Sequence, residues 1–304
     1  MKKTIIYGLL AVIGLSSVAC SDDEELLEPT RIEDNHYRVS DDETGPEADL
    51  RREFYDKTKV YLLFSNILRR TYVGKDAFGD DVWHDETIDF NYNITNYGVS
   101  LYDFEFFDTD EEKIAAAEIV EKCILDHFSE PLRPFSVLAA KKLLYAKYDY
   151  QKLQPAGTFA NMSCRAINVG DVMDMSIEEA DDFYKSVRKT MLLSMISYRD
   201  DAFEEYRELA GQYAGTRVID VIPDWDGTDE TLLYEYGFLQ VNFSWNPPQY
   251  DTFSDMQYDF EYDFYPMVMD YSPEEVEEMY GDYPMIIQKY NAVRNGILSL
   301  GYVF

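Results

Sequence analysis

The chain has 304 residues, with 27 Lys and Arg against 59 Asp and Glu, and a formal net charge of −32. That balance excludes nucleic-acid binding, which needs a cationic surface to displace phosphate counterions. It also argues against a body lying flat on an anionic leaflet.

In chain order, Lys2 and Lys3 precede an apolar run from Ile5 to Leu15, and Ser16-Ser17-Val18-Ala19 then leads to Cys20. The run is too short to span a bilayer, and small residues stand before the cysteine, so residues 1–19 read as a lipoprotein signal peptide. Cys20 is the lipidation site, where diacylglycerol and further acylation (a palmitate-type modification) anchor the mature chain without a spanning helix. Losing Lys2 and Lys3 takes the charge to −34. Ser21-Asp22-Asp23-Glu24-Glu25 resembles the acidic export signal that sends Bacteroidetes lipoproteins to the outer face of the outer membrane. Residues 20–46 form an acidic tether, and residues 47–304, roughly 250 residues, are long enough to bury a real core.

Within that domain, Glu53 to Phe64 reads as a short helix running into a strand, Gly74 to Asp85 as a loop, and Val99 to Tyr102 as extended. From Asp110 to Phe128, Ile114, Ala117, Ile119, Val120, Cys123, Ile124 and Phe128 mark an amphipathic helix, with acids favouring its positive end. Pro131 and Pro134 interrupt, Lys142 to Tyr148 is a strand, and Gln154 to Asp174 is loop and turn with an extended piece at Arg165 to Val169. Ser176-Ile177-Glu178-Glu179 is a capping box that opens a long helix through about Tyr198. Phe183, Val187, Met191, Leu192, Met195 and Ile196 give it a wide apolar face. Asp201 to Tyr213 continues helically and Pro223 to Gly227 breaks the chain. Tyr250 to Tyr283 mixes aromatics with acids. Ser272-Pro273-Glu274-Glu275 caps another helix, and Pro284 to Leu300 is the last one.

Chemical candidates are sparse. Cys123 lies on the apolar face of its helix and reads as a buried small hydrophobe, and a Cys123–Cys164 disulfide is left open by spacing alone. Of three histidines, His36 is in the tether, His84 reads as a loop residue in Trp83-His84-Asp85-Glu86, and His127 ends a helix. Neighbouring residues on a strand face opposite ways, so that cluster cannot ligate one ion together. Asp224, Asp226 and Asp229 alternate around Gly227 as in a calcium loop, without its full spacing or terminal glutamate, and are weak metal candidates. Asp259, Glu261 and Asp263 would share one face if extended, and read as a solvated acidic face. With 26 Tyr, 18 Phe and 3 Trp, some rings should remain on the surface, where they could hold a glycan or contact a partner.

Five stretches, in order, carry a resemblance: Arg52 to Tyr61, Arg188-Lys189-Thr190-Met191-Leu192, Tyr236 to Asn242, Asp259 to Asp263, and Tyr283 to Arg294. Together they resemble the zinc-binding metallopeptidase lipoproteins of Bacteroidetes, also described as substrate import-associated zinc metallohydrolases, which accompany SusC/SusD-type uptake systems. The resemblance implies an α+β, zincin-like fold: a small mixed sheet on a long central helix with a mainly helical C-terminal half. In that family HExxH follows the Lys-Thr pair, with two histidines on zinc and a glutamate as base. Here Leu193, Ser194 and Ser197 occupy those degenerate positions, so the resemblance implies no zinc, no other cofactor and a pseudoenzyme. Leu193 and Ser197 should share a helix face directed at a cleft. The function expected is an accessory binding or scaffold subunit at the cell surface beside an uptake system, with a glycan or peptide ligand. An active metallohydrolase with an unusual metal site, and a glycan-binding surface lipoprotein, are the alternatives.

Overall fold

The computed structural model describes residues 35–90, 100–147, 154–160, 164–196, 200–242 and 248–304. The chain divides into two compact units, residues 1–36 and Tyr37–Phe304, and the second carries the architecture. Cys20 lies outside the described residues.

Helix α1 (Pro46–Thr58) opens with proline at its first turn and with Glu47 and Asp49 at its positive end, and buries Ala48, Phe54 and Thr58. It leads into strand β1 (Tyr61–Leu63), the edge of a four-stranded sheet. β1 runs parallel to β5 (Ser136–Ala140), β5 runs parallel to β9 (Arg165–Asn168), and β8 (Thr158–Ala160) closes the sheet antiparallel to β9. Period-two alternation then sorts the side chains to two faces. Leu62, Val137, Ala139 and Ile167 join the large core with α3 (Ile177–Ile196). Leu63, Leu138 and Ala166 meet a smaller cluster with Leu143 and Cys164. The fold is α+β, with a small mixed sheet against a long helix and a mainly helical C-terminal half.

Several local expectations hold. Ser176 and Glu179 exchange the two capping-box bonds that start α3. The same device, beyond what was read from the sequence, starts α2 (Asp110–Ile119) from Thr109. After α4 (Glu204–Gly211) and α5 (Tyr265–Asp270), it also starts α6 (Pro273–Tyr280) from Ser272. The last helix, α7 (Pro284–Leu300), covers the expected range. It passes so close to the turn at residues 200–203 that a Cβ on Gly296 would come within 2.6 Å of Ala202 O.

Others are corrected. Gly74 to Asp85 is not a loop: β2 (Ile67–Lys75) and β3 (Asp81–Thr87) form an antiparallel hairpin, and His84 sits on its second strand. The helix begun at Asp110 gives way at Val120–Ile124 to a π-turn and then a short 3-10 turn through His127. Strand β5 was not anticipated. In α3 the buried face runs Ala180, Tyr184, Val187, Arg188, Met191, Leu192 and Ile196, while Phe183, expected inside, is 41% exposed. Tyr184 takes the inward place instead, and Arg188 joins the buried face, where its Nη1 donates to Cys123 O at 2.6 Å and to Asp181 Oδ1 at 2.8 Å. β4 (Ser100–Glu105) and β6 (Lys142–Lys147) pair antiparallel, with β7 (Gln154–Pro155) beyond β6. Among the described residues no helix is long and apolar enough to cross a membrane.

Candidate functional site

Three of the five resembling stretches converge on one buried network. Met256–Tyr258 forms a single helical turn, capped by Asp255, and runs into a π-turn at Asp259–Phe264 that leads into α5. The wider turn carries Asp259 and Asp263 inward, where they are 0% and 7% exposed. This overturns the expectation of an extended, solvated acidic face. Glu261 is the one of the three that is not buried, and it accepts from Gln257.

Lys289 of α7 is fully buried opposite Asp259, with Nζ 2.6 Å from Oδ2. The ammonium also donates to Gly237 O at 2.6 Å and lies 3.9 Å from the Phe238 ring centroid and 4.6 Å from that of Phe264. Tyr206 donates to the same Asp259 oxygen at 2.6 Å. Gly237, at φ 79°, has no room for a side chain, since a Cβ would lie 2.6 Å from Met285 Cγ and 3.2 Å from Lys289 Cδ. Burial pushes Asp259 up and Lys289 down, and their mutual attraction opposes both shifts. Asp263 accepts from Gln240, yet burial still pushes its carboxyl up to about 7. Among the described residues Asp259 Oδ1 and Asp263 Oδ2 have no hydrogen-bond partner. An ammonium this enclosed, held by two oxygens and two ring faces, organises the fold around it rather than meeting a substrate.

The positions equivalent to the zinc motif are occupied differently. Leu193 packs against the large core. Ser194 donates to Met191 O at 2.7 Å and accepts from Arg165. Ser197 lies outside the described residues, so the shared face expected for Leu193 and Ser197 is not on view. His84 is exposed on the hairpin, whereas His127 Nε2 is 3.0 Å from Asp181 Oδ1 and its Nδ1 is 2.9 Å from Val303 O. Asp226 Oδ1 accepts from Thr228 N and Oγ1, and Asp229 Oδ1 from Thr231, so these carboxylates cap two separate turns while Asp224 is exposed. Among the described residues no group of three or more His, Cys, Asp or Glu is gathered for a metal. Cys123 and Cys164 are buried thiols not joined in a disulfide, pushed by burial to about 11 and about 12.

An open cleft lies elsewhere, at α1. A cleft of about 420 Å³ is lined by residues that include Tyr37, Arg38, Asp41, Arg52, Tyr55 and Tyr61. The Tyr55 and Tyr61 rings stack at 4.4 Å. Phe135 packs edge-on to Tyr37 and tilted to Tyr61, each at 5.1 Å. Arginines build the wall: Arg51 donates to Leu62 O and Tyr37 O, and Arg52 to Ser40 O and Glu43 O. Residues 37–45, read from composition as tether, are thereby fixed against α1. Ring faces, phenol groups and paired charges in a concave surface suit recognition, and nothing in the set pairs a nucleophile with a base. The aromatic richness of the sequence hinted at such a surface. Its location depends on contacts between residues 37–45 and 135, which no local pattern displays.

Comparisons with protein-family profiles, with curated proteins and with solved structures return no match.

Proposed function

We propose that this chain is a lipid-anchored lipoprotein displayed on the outer membrane, with a metallopeptidase-like, zincin-related fold that has lost its metal site. It acts as an accessory binding or scaffold subunit beside a SusC/SusD-type nutrient uptake system. The observation that carries the reading is the employment of α3 at the motif positions. Where the resembling family needs histidine and glutamate, Leu193 is packed on the core and Ser194 is engaged by Met191 and Arg165. The signal and acidic run around Cys20 support the address, and the net charge of −32 supports a body held off the membrane by its tether. The tyrosine-lined cleft at α1 offers a place for a glycan or peptide.

The test is affinity purification of the full chain from solubilised outer membranes, with elemental analysis of the product. Expected are co-purification of SusC/SusD-type components, loss of membrane attachment in Cys20→Ala, and a zinc ratio near zero. A ratio near one zinc per chain, together with peptide hydrolysis, would overturn the inactive reading. Absence of any uptake component would overturn the accessory role.

A further inference from the structure

The β2–β3 hairpin buries none of its residues, all of which are half-buried or exposed. A ribbon without a core is expected to be polar on its surface. This one leaves Tyr72 48%, Trp83 51% and Phe78 91% exposed, and exposed aromatic surface of that extent marks an interaction site.

The register shows how the face is built. Arg70 stands opposite Asp85, Tyr72 opposite Trp83, and Lys75 opposite Asp81, with a bulge between Tyr72 and Gly74. Asp81, Trp83 and Asp85 alternate on one face of β3, while His84 and Glu86 take the other. Arg70 donates to both oxygens of Asp85, at 2.7 and 2.8 Å. Lys75 Nζ is 2.9 Å from Asp81, which also accepts from Tyr72 Oη at 3.3 Å. The Tyr72 and Trp83 rings meet edge to face at 5.2 Å. One face therefore presents an aromatic pair between two ion pairs. Successive same-face positions are roughly 7 Å apart, so the ion pairs lie directly beside the rings.

Charge selects the ligand class. The two cations and two carboxylates on this face cancel pairwise, so an ionic ligand finds no spare countercharge, and a polyanion is also repelled by the chain as a whole. A neutral molecule with apolar C–H faces and many hydroxyls matches both the rings and the flanking donors and acceptors. We propose that the Tyr72–Trp83 face of the hairpin binds a neutral saccharide chain. A pyranose stacks on the aromatic pair, and its hydroxyls are held by Arg70–Asp85 on one side and Lys75–Asp81 on the other. This rests on the reading of the chain as a binding protein and is independent of the uptake partner.

The test is native affinity electrophoresis of the detergent-solubilised full chain through gels containing a β-glucan, a xylan, a mannan or an α-glucan, with heparin as the polyanion. Retardation by at least one neutral polysaccharide is expected, weakened at least about tenfold by Trp83→Ala and by Tyr72→Ser. His84→Ala on the opposite face should bind as the parent does. Retardation by none of the four, or by heparin alone, would overturn the proposal. So would binding that survives both aromatic substitutions, an outcome that leaves the binding reading standing and removes only this site. Retardation abolished by the aromatic substitutions in a chain that captures no uptake component would keep the site and remove the accessory role.

Discussion

Lys289 and Asp259 show how far a single buried pair can govern the C-terminal half. Removing one partner strands the other charge, so Lys289→Met should cost about 3–5 kcal/mol in chemical denaturation. The double variant Asp259→Leu with Lys289→Met should recover most of that loss. Asp263 makes a pH-dependent contribution. Its carboxyl sits at about 7 in the fold against an ordinary 3.8, so the folded state holds the proton more tightly. The resulting stability is complete below pH 3.8 and is lost as pH rises through about 7. Asp263→Asn should therefore gain on the parent at pH 8, by on the order of 2–4 kcal/mol, and the gain should vanish near pH 4. Denaturation of both proteins across this range checks it, and a constant difference would refute it. Neither role was legible in the sequence. In a chain with 59 acids, each acid reads as solvated until its partner is known, and here the partner lies thirty residues away on another helix.

Elements whose signals are local were the readable ones. Ser176 and Ser272 each cap their own helix through residues three positions on, so short-range sequence carries the whole interaction. Ser272→Ala should cost about 1 kcal/mol and lower Tm by a few degrees, and a change within error would show that α6 is held by Val276 and its packing instead. Strands were harder to read. β5 is buried on both faces, so it lacks the alternation that marks a half-buried strand. β2 and β3 have polar residues on both faces because cross-strand ion pairs, not a core, hold their register. The π-turn at Asp259–Phe264 hides another signal, since one wide turn breaks the 3.6-residue periodicity by which a buried acid would be noticed.

At the scale of the molecule, the two cysteines fall in different clusters, Cys123 against the large core and Cys164 behind the sheet. With both thiols buried and their ionisation pushed upward, a thiol reagent at pH 8 should label neither in the folded Cys20→Ser chain and both in denaturant. Labelling before unfolding would mean that the sheet opens locally. The α+β class was legible because the long helices have strong periodicity and caps. The order of the strands in the sheet was not, because β1 and β5 are separated by more than seventy residues that leave the sheet and return to it.

The pairing of residues 301–303 with the segment His127–Ser129 has a temporal meaning. Ser129 N donates to Gly301 O, Phe128 bridges Tyr302, and Val303 N donates to His127 O, so residues 301–303 complete a layer begun some 170 positions earlier. Tyr302 is buried in the large core. Loops of that span close late, because the entropy of bringing such distant residues together must be met before their contacts form. The core is therefore complete only once residues 301–303 are in place. A core completed by so distant a pairing is expected to close there last.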